Sequence, residues 1–118
     1  MKRMTDDEFV HAFESCTLPP EAFHHRDHLR LARIYLDRWG LDTATARFIE
    51  SLKRYATHLG KSEKYHQTMT IAWMRVVAAS DRAAELDKGH LYRYYSRQRL
   101  DSPEARMGFI EPDLQQLP

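Results

Sequence analysis

The spacing of apolar residues over positions 24–59 constrains the fold of this chain more than any other feature of its sequence. Throughout that stretch, apolar residues recur at the three- and four-residue intervals of an α-helix. Gly40 and Gly60 occupy positions typical of the residue that follows a helix. The pattern predicts one helix over about residues 24–39 and another over about residues 42–59.

Helical patterns also occur outside this stretch, and no alternating strand pattern does. Thr5 and Glu8 form a capping-box sequence that predicts a first helix over residues 5–16. Further predicted helices lie at about residues 62–79, 80–86 and 88–99. The tail after Leu100 is predicted to be irregular and to pack through Met107, Phe109, Ile110 and Leu114. The prediction is an all-α fold, a compact single-domain bundle of five to six helices spanning residues 1–118, with an irregular C-terminal tail.

Charge and hydropathy exclude several classes of protein. Lys and Arg number 18 against 17 acidic residues, so the chain lacks the basic excess typical of a nucleic-acid-binding protein. No apolar run reaches the roughly 18 residues that a membrane-spanning helix needs, and the N-terminus lacks the apolar stretch of a signal peptide. Cys16 is the single cysteine, which excludes an internal disulfide. These features predict a cytoplasmic protein without a membrane partner.

Seven histidines in 118 residues are the compositional feature that points to a site. On a helical wheel, His25 and His28 fall on the apolar face, and their spacing places the two imidazoles side by side. His66 falls on the apolar face of the 62–79 helix and can approach them from there. Three converging neutral imidazoles are a predicted ligand set for a divalent transition metal: zinc, iron, copper or nickel. Without a metal, the same histidines suit acid–base catalysis.

Further side chains are predicted to complete this site. Tyr65, next to His66, is a candidate catalytic hydroxyl. The candidate substrate-binding residues are Arg26, Thr68, Thr70, Trp73, Arg97 and Arg99. Each has a structural alternative, because helical threonines often bond to a carbonyl one turn earlier and most core histidines are bonded to protein groups.

Basic and aromatic residues alternate late in the chain: Tyr92, Arg93, Tyr94, Tyr95, Arg97 and Arg99. An arginine in this segment can clamp a carboxylate or phosphate with two hydrogen bonds. The alternative is a solvated basic face whose tyrosines fill the core. Binding of single-stranded nucleic acid is a third and weaker interpretation.

Three segments carry a set of short motifs: residues 23–32 (FHHRDHLRLA), 64–73 (KYHQTMTIAW) and 94–118 (YYSRQRLDSPEARMGFIEPDLQQLP). In His-Arg-x-His-Leu and Tyr-His-x-Thr above all, the chain resembles a family of small all-helical bacterial proteins without an established activity. The resemblance implies family positions at His25, Arg26, His28, Tyr65, His66 and Thr68. His24 departs from the pattern, which has asparagine there. The resemblance supplies no reaction.

The sequence thus supports two functional hypotheses. In the first, a histidine-lined pocket binds a small polar or anionic molecule, as a binding protein or as a metal-dependent or acid–base enzyme. In the second, the histidines are structural and the chain is a non-catalytic regulatory or protein-interaction module. Both are compatible with a homo-oligomer.

Overall fold

The computed structural model describes residues 3–118, and its first helix, α1, spans Asp6–Glu14. The Thr5 hydroxyl accepts the Glu8 N–H at 3.1 Å, and the Glu8 carboxylate accepts the Thr5 N–H at 2.8 Å. This reciprocal pair satisfies two amide donors that the helix start would otherwise leave unpaired. The predicted capping box is therefore confirmed.

Helix α2 spans His25–His58 and contains a break at Gly40, where φ is 75° and ψ is 170°. That conformation is accessible to glycine at little cost because glycine has no Cβ. The two helical halves then pack against each other. The Tyr35 hydroxyl of the first half donates to the Glu14 carboxylate and accepts a hydrogen bond from Ser51 of the second half at 3.1 Å, and its ring lies 5.4 Å from that of Phe48. The two helices predicted over this stretch are thus two halves joined directly at Gly40.

Helix α3 spans Gln67–Ala78 and begins later than the sequence pattern predicts. The preceding residues Ser62–Lys64 form a 3₁₀ turn, and Tyr65 and His66 are extended. The prediction that Tyr65 and His66 lie on the helix is therefore wrong. The physical reason is that the His66 imidazole caps the helix, where its Nδ1 accepts the Met69 N–H at 3.1 Å.

The chain after α3 consists of short elements. Ala83–Glu85 and His90–Arg93 are 3₁₀ turns, α4 spans Arg97–Leu100 and α5 spans Pro103–Met107. The predicted helices at 80–86 and 88–99 are therefore wrong. The tail after Leu100, predicted to be irregular, contains α5, and residues 108–118 after it are irregular. Serine side chains set the new boundaries: Ser96 caps α4, and Ser102 caps α5.

Two clusters of buried residues form the core. One joins α1, both halves of α2 and one side of α3, and the other joins the opposite side of α3 to the C-terminal elements. In the tail, Phe109 and Ile110 pack on the second cluster as predicted, and Leu117 is buried in it. Met107 and Leu114 are 85% and 57% exposed, so their predicted packing is wrong.

The described residues contain five α-helices and no strand, so the all-α prediction is confirmed. None of the helices in residues 3–118 combines the length and the apolar character needed to cross a membrane.

Candidate functional site

A cavity of about 620 Å³ lies between the two halves of α2 and the start of α3. It receives side chains from the 20–24 segment, both halves of α2, residues 61–66, α3 and Lys88. Six of the residues predicted as site residues line it: His25, His28, Tyr65, His66, Thr70 and Trp73. The fold therefore brings together side chains from two motifs that are distant in the sequence.

His28 lies on the first turn of α2, and its ring stacks on Phe23 with 3.9 Å between centroids. Burial, together with the neighbouring His25, lowers the pKa of His28 to about 4, and Asp27 opposes the change in part. Neither ring nitrogen bonds to any residue within 3–118. At neutral pH, His28 thus presents an uncharged imidazole to the cavity, with one donor and one acceptor.

His25 has a different environment, although it is one helical turn from His28. Its Nε2 lies 2.8 Å from the carbonyl oxygen of Leu86. Because a carbonyl oxygen only accepts, Nε2 carries the proton and donates it to this bond. The ring also lies 5.1 Å from that of Trp73. His25 therefore tethers the 83–90 segment across one side of the cavity.

His66 has both ring nitrogens bonded to the backbone. Nε2 donates to the Leu100 carbonyl at 2.8 Å, while Nδ1 accepts the Met69 N–H. The side chain is only 7% exposed, and burial lowers its pKa, with the Leu100 bond opposing the change. These bonds require a neutral ring with the proton on Nε2. His66 thus has the bonding of a structural residue, although it borders the cavity.

Two hydroxyl groups lie beside His66. Tyr65 donates to the Gln67 side chain at 2.6 Å, and burial raises its pKa, so the phenol stays protonated at neutral pH. Thr70 donates to the His66 carbonyl at 2.7 Å. This is the back-bonding alternative considered from the sequence, and it occupies the hydroxyl proton.

Four predicted substrate-binding residues do not line the cavity. Arg26 is exposed, and Thr68 is buried, where its hydroxyl donates to the Gly108 carbonyl at 2.9 Å. Arg97 stacks on the Tyr92 ring, and Arg99 donates to the Glu111 carbonyl. Thr68 therefore ties α3 to the tail, and the two arginines lie in the C-terminal part of the chain, where they bond within it.

The described part of the chain, residues 3–118, holds no group of three or more His, Cys, Asp or Glu side chains able to hold a metal ion. His66 has both nitrogens engaged, and His25 has its Nε2 engaged. A metal ligand needs a free nitrogen lone pair, so His66 would have to give up the cap of α3 to bind one. The predicted three-histidine metal site is therefore not supported by this geometry.

Sequence reasoning missed three cavity residues, Lys61, Lys64 and Lys88. All three are exposed, so they lie where the cavity meets solvent. Within residues 3–118, no Asp or Glu lines the cavity with them. Lys64 immediately precedes the Tyr-His motif and Lys61 lies three residues before Lys64, and this closeness in sequence was a signal that could have identified them. Lys88 carries no such signal.

Comparison of the chain with protein-family models, with curated proteins and with solved structures found no match.

Proposed function

We propose that this chain binds a small molecule in the cavity between α2 and α3, and that His28 is the polar group that recognises it. The observation that carries the proposal is the unpaired imidazole of His28, which is partly buried on the wall of a cavity of about 620 Å³. The ring nitrogens are not fully buried, so they are open to the cavity. A ligand can bond to them without breaking a hydrogen bond of the protein.

The size and composition of the cavity agree with this role. Ligand pockets are mostly apolar clefts of roughly 300–1,000 Å³ with a few polar groups at fixed positions. Here the apolar walls come from both halves of α2 and from α3, and His28 is a lining imidazole without a protein partner among residues 3–118. Tyr65 and Trp73 also line the cavity and are further candidates for contact.

The same geometry suits acid–base catalysis. With its pKa lowered to about 4, His28 is neutral at pH 7, and its unprotonated nitrogen can accept a proton from a bound molecule. Tyr65 stays protonated and can donate a hydrogen bond to a bound molecule in exchange for its bond to Gln67. An enzyme with His28 as base and Tyr65 as donor is therefore the catalytic form of the proposal, and turnover of a bound molecule would distinguish it from a binding protein.

The proposal is tested by an NMR screen of small organic molecules against isotope-labelled protein. The expected hits shift signals of His28 and Tyr65. Ala56→Phe fills the cavity from the second half of α2, whereas Ala46→Phe makes the same change on the exposed side of that half. Hits should be lost with Ala56→Phe and kept with Ala46→Phe.

A second substitution tests the role assigned to His28. His28→Phe retains a ring against Phe23 but removes both nitrogens. Polar hits should bind about tenfold more weakly, the effect of about one lost hydrogen bond. Hits that survive Ala56→Phe would contradict the cavity as the site, and hits indifferent to His28→Phe would contradict the role of the imidazole.

The competing hypothesis is a non-catalytic interaction module. The bonding of His66 to Leu100 and Met69 favours it, because these contacts are structural. The exposed apolar side chains of Met107 and Leu114 also favour this hypothesis, because they are open to contact with a partner. A screen without a single cavity hit would favour this module over the small-molecule proposal.

A further inference from the structure

We infer that the ligand of this cavity is an organic anion with an apolar body, whose charged group lies at the lysines and whose body fills the space behind them. This inference depends on the proposed function, because it names the class of molecule that the cavity binds.

The charge along the cavity has one sign. Lys61 and Lys64 approach it from the turn before α3, and Lys88 approaches from the segment tethered by His25. Lining carboxylates are absent among residues 3–118. Lys53 adds a fourth ammonium group nearby, 5.3 Å from the centre of the Tyr65 ring. A cleft lined by charges of one sign raises the local concentration of ions of the opposite sign, here anions.

The start of α3 adds to this potential. Both α2 and α3 begin at the cavity, where His25 and His66 line it. The N-terminal end of a helix carries a partial positive charge from its unpaired N–H groups. At the start of α2, the Asp27 carboxylate accepts the His24 N–H at 3.0 Å and offsets that charge, whereas the first turn of α3 contains no acidic residue. The start of α3 therefore makes the potential in the cavity more positive, as the lysines do.

The interior of the cavity is apolar. Phe23, Leu29, Leu52, Tyr55 and Trp73 are among the side chains that line it. Burying apolar surface contributes about 25 cal/mol per Å², so the body of the ligand supplies affinity while the lysines select its charge. A small inorganic anion would leave this interior unfilled, and a neutral apolar molecule would make no use of the lysines.

Two fluorescent probes that differ in charge test the inference. 8-Anilinonaphthalene-1-sulfonate is an apolar anion, and N-phenyl-1-naphthylamine is the same ring system without the sulfonate. Both become more fluorescent in an apolar site, so a titration gives the Kd of each. We expect the anion to bind at least about tenfold more tightly, the effect of about 1.4 kcal/mol of favourable charge interaction.

Two matched variants separate local charge from net charge. Lys61→Gln, Lys64→Gln and Lys88→Gln together remove the three lining ammonium groups. Arg82→Gln, Arg93→Gln and Arg97→Gln together remove three exposed charges that do not line the cavity. The lysine variant should weaken binding of the anionic probe about tenfold or more and leave the neutral probe within about twofold. The arginine variant should leave both Kd values within about twofold.

The outcomes distinguish this inference from the proposed function. Equal Kd values for the two probes, unaffected by the lysine variant, would overturn the choice of an anion while leaving the cavity as a binding site. Equal losses of affinity in the lysine and arginine variants would overturn it too, because net charge alone would then explain them. Failure of both probes to bind, or binding that survives Ala56→Phe, would instead contradict the proposed function.

Competition then identifies the body of the anion. Decanoate and 1-naphthoate carry the same carboxylate on an aliphatic and on an aromatic body, and decan-1-ol is the neutral control. Displacement of the anionic probe by either acid, but not by the alcohol, supports the inference and shows which body fits. Equal displacement by decanoate and decan-1-ol would overturn it.

Discussion

His28 lies in the first turn of α2 and His66 caps the start of α3, and burial lowers the pKa of both imidazoles, but their ring nitrogens have opposite surroundings. His66 is bonded on both sides to backbone groups of Leu100 and Met69. His28 stacks on Phe23 and bonds to no residue among those described. Both histidines therefore line the cavity, but the ring of His66 is used by the fold and the ring of His28 is free to bond to a ligand.

This difference shows what a buried histidine needs before a functional role can be assigned to it. Burial and a lowered pKa are common to both residues, so neither property separates a binding group from a structural one. The separating property is whether the fold already uses the donor and acceptor of the ring. A ligand can bond to His28 without loss of a protein contact, whereas bonding to His66 would break a helix cap or a tether to α4.

The largest expected effect comes from making the same substitution at both positions. His66→Phe leaves the Met69 N–H and the Leu100 carbonyl without their partner and should lower the free energy of unfolding by roughly 2–4 kcal/mol. His28→Phe breaks no protein hydrogen bond and should change it by less than about 1 kcal/mol. Urea denaturation at pH 7 measures both values.

His66→Asn is the control for that experiment. Asparagine is a good N-cap residue, so it should restore the bond to Met69 but not the bond to Leu100. It should recover about 1 kcal/mol relative to His66→Phe. Equal losses for the phenylalanine variants at positions 28 and 66 would contradict the distinction between the two histidines.

A slightly smaller effect is expected from pH. The pKa of His28 falls from 6.5 in a free side chain to about 4 in the fold, so the unfolded chain binds more protons between these two values. The free energy of unfolding should therefore be highest above about pH 6.5 and should fall towards pH 4. About 2–3 kcal/mol of this loss should be due to His28. His28→Phe should remove that part of the slope.

Two other histidines account for the pH dependence of stability that should remain in the His28→Phe variant. Burial also lowers the pKa values of His66 and His90, so both destabilise the fold in acid in the same direction. Urea denaturation of the parent protein and the variant at pH 7, 6, 5 and 4.5 measures the two slopes. Identical slopes would show that His28 is not buried as a neutral group.

In its bonding, His25 is intermediate between His28 and His66, because one of its nitrogens bonds to the Leu86 carbonyl. His25→Leu should lower the free energy of unfolding by about 1 kcal/mol, the value of one hydrogen bond. It should also increase hydrogen exchange in the 83–90 segment, which loses its tether to α2. A stability loss as large as that of His66→Phe would place His25 with the structural group.

The smallest effect is expected from metal ions. Because His66 uses both nitrogens and no suitable group exists within residues 3–118, zinc should leave the melting temperature within about 1 °C at a stoichiometric concentration. Iron, copper and nickel should behave alike. Near-stoichiometric metal in the purified protein that disappears in a His25→Ala and His66→Ala double variant would contradict this prediction.

The parts of the fold that could be predicted from the sequence are those determined by local signals. The Thr5 and Glu8 capping box, the break at Gly40 and the inward position of His28 follow from side chains acting on their own helix. The start of α3 could not be predicted, because a helical wheel gives the face of a residue but not whether the residue is helical. At that position the imidazole of His66 competes with the backbone for the Met69 N–H.

The candidate site, like the fold, could be predicted from the sequence only in part. The histidines were identified by number and spacing, and both motifs do reach one cavity. The sequence predicts Arg97 and Arg99 as substrate-binding residues, whereas Lys61, Lys64 and Lys88 are the cations that line the cavity. Which cations reach the cavity depends on tertiary packing: Arg97 stacks on Tyr92, and Arg99 donates to the Glu111 carbonyl, both in the C-terminal part of the chain.

NMR of the histidine ring nitrogens, before and after addition of N-phenyl-1-naphthylamine, tests the central claim most directly. We predict that His66 shows one fixed tautomer, protonated on Nε2, with signals that the probe leaves unchanged. His28 should be neutral at pH 6, and its nitrogens should shift when the probe binds. Shifts at His66 with none at His28, or a charged His28 at pH 6, would contradict the account.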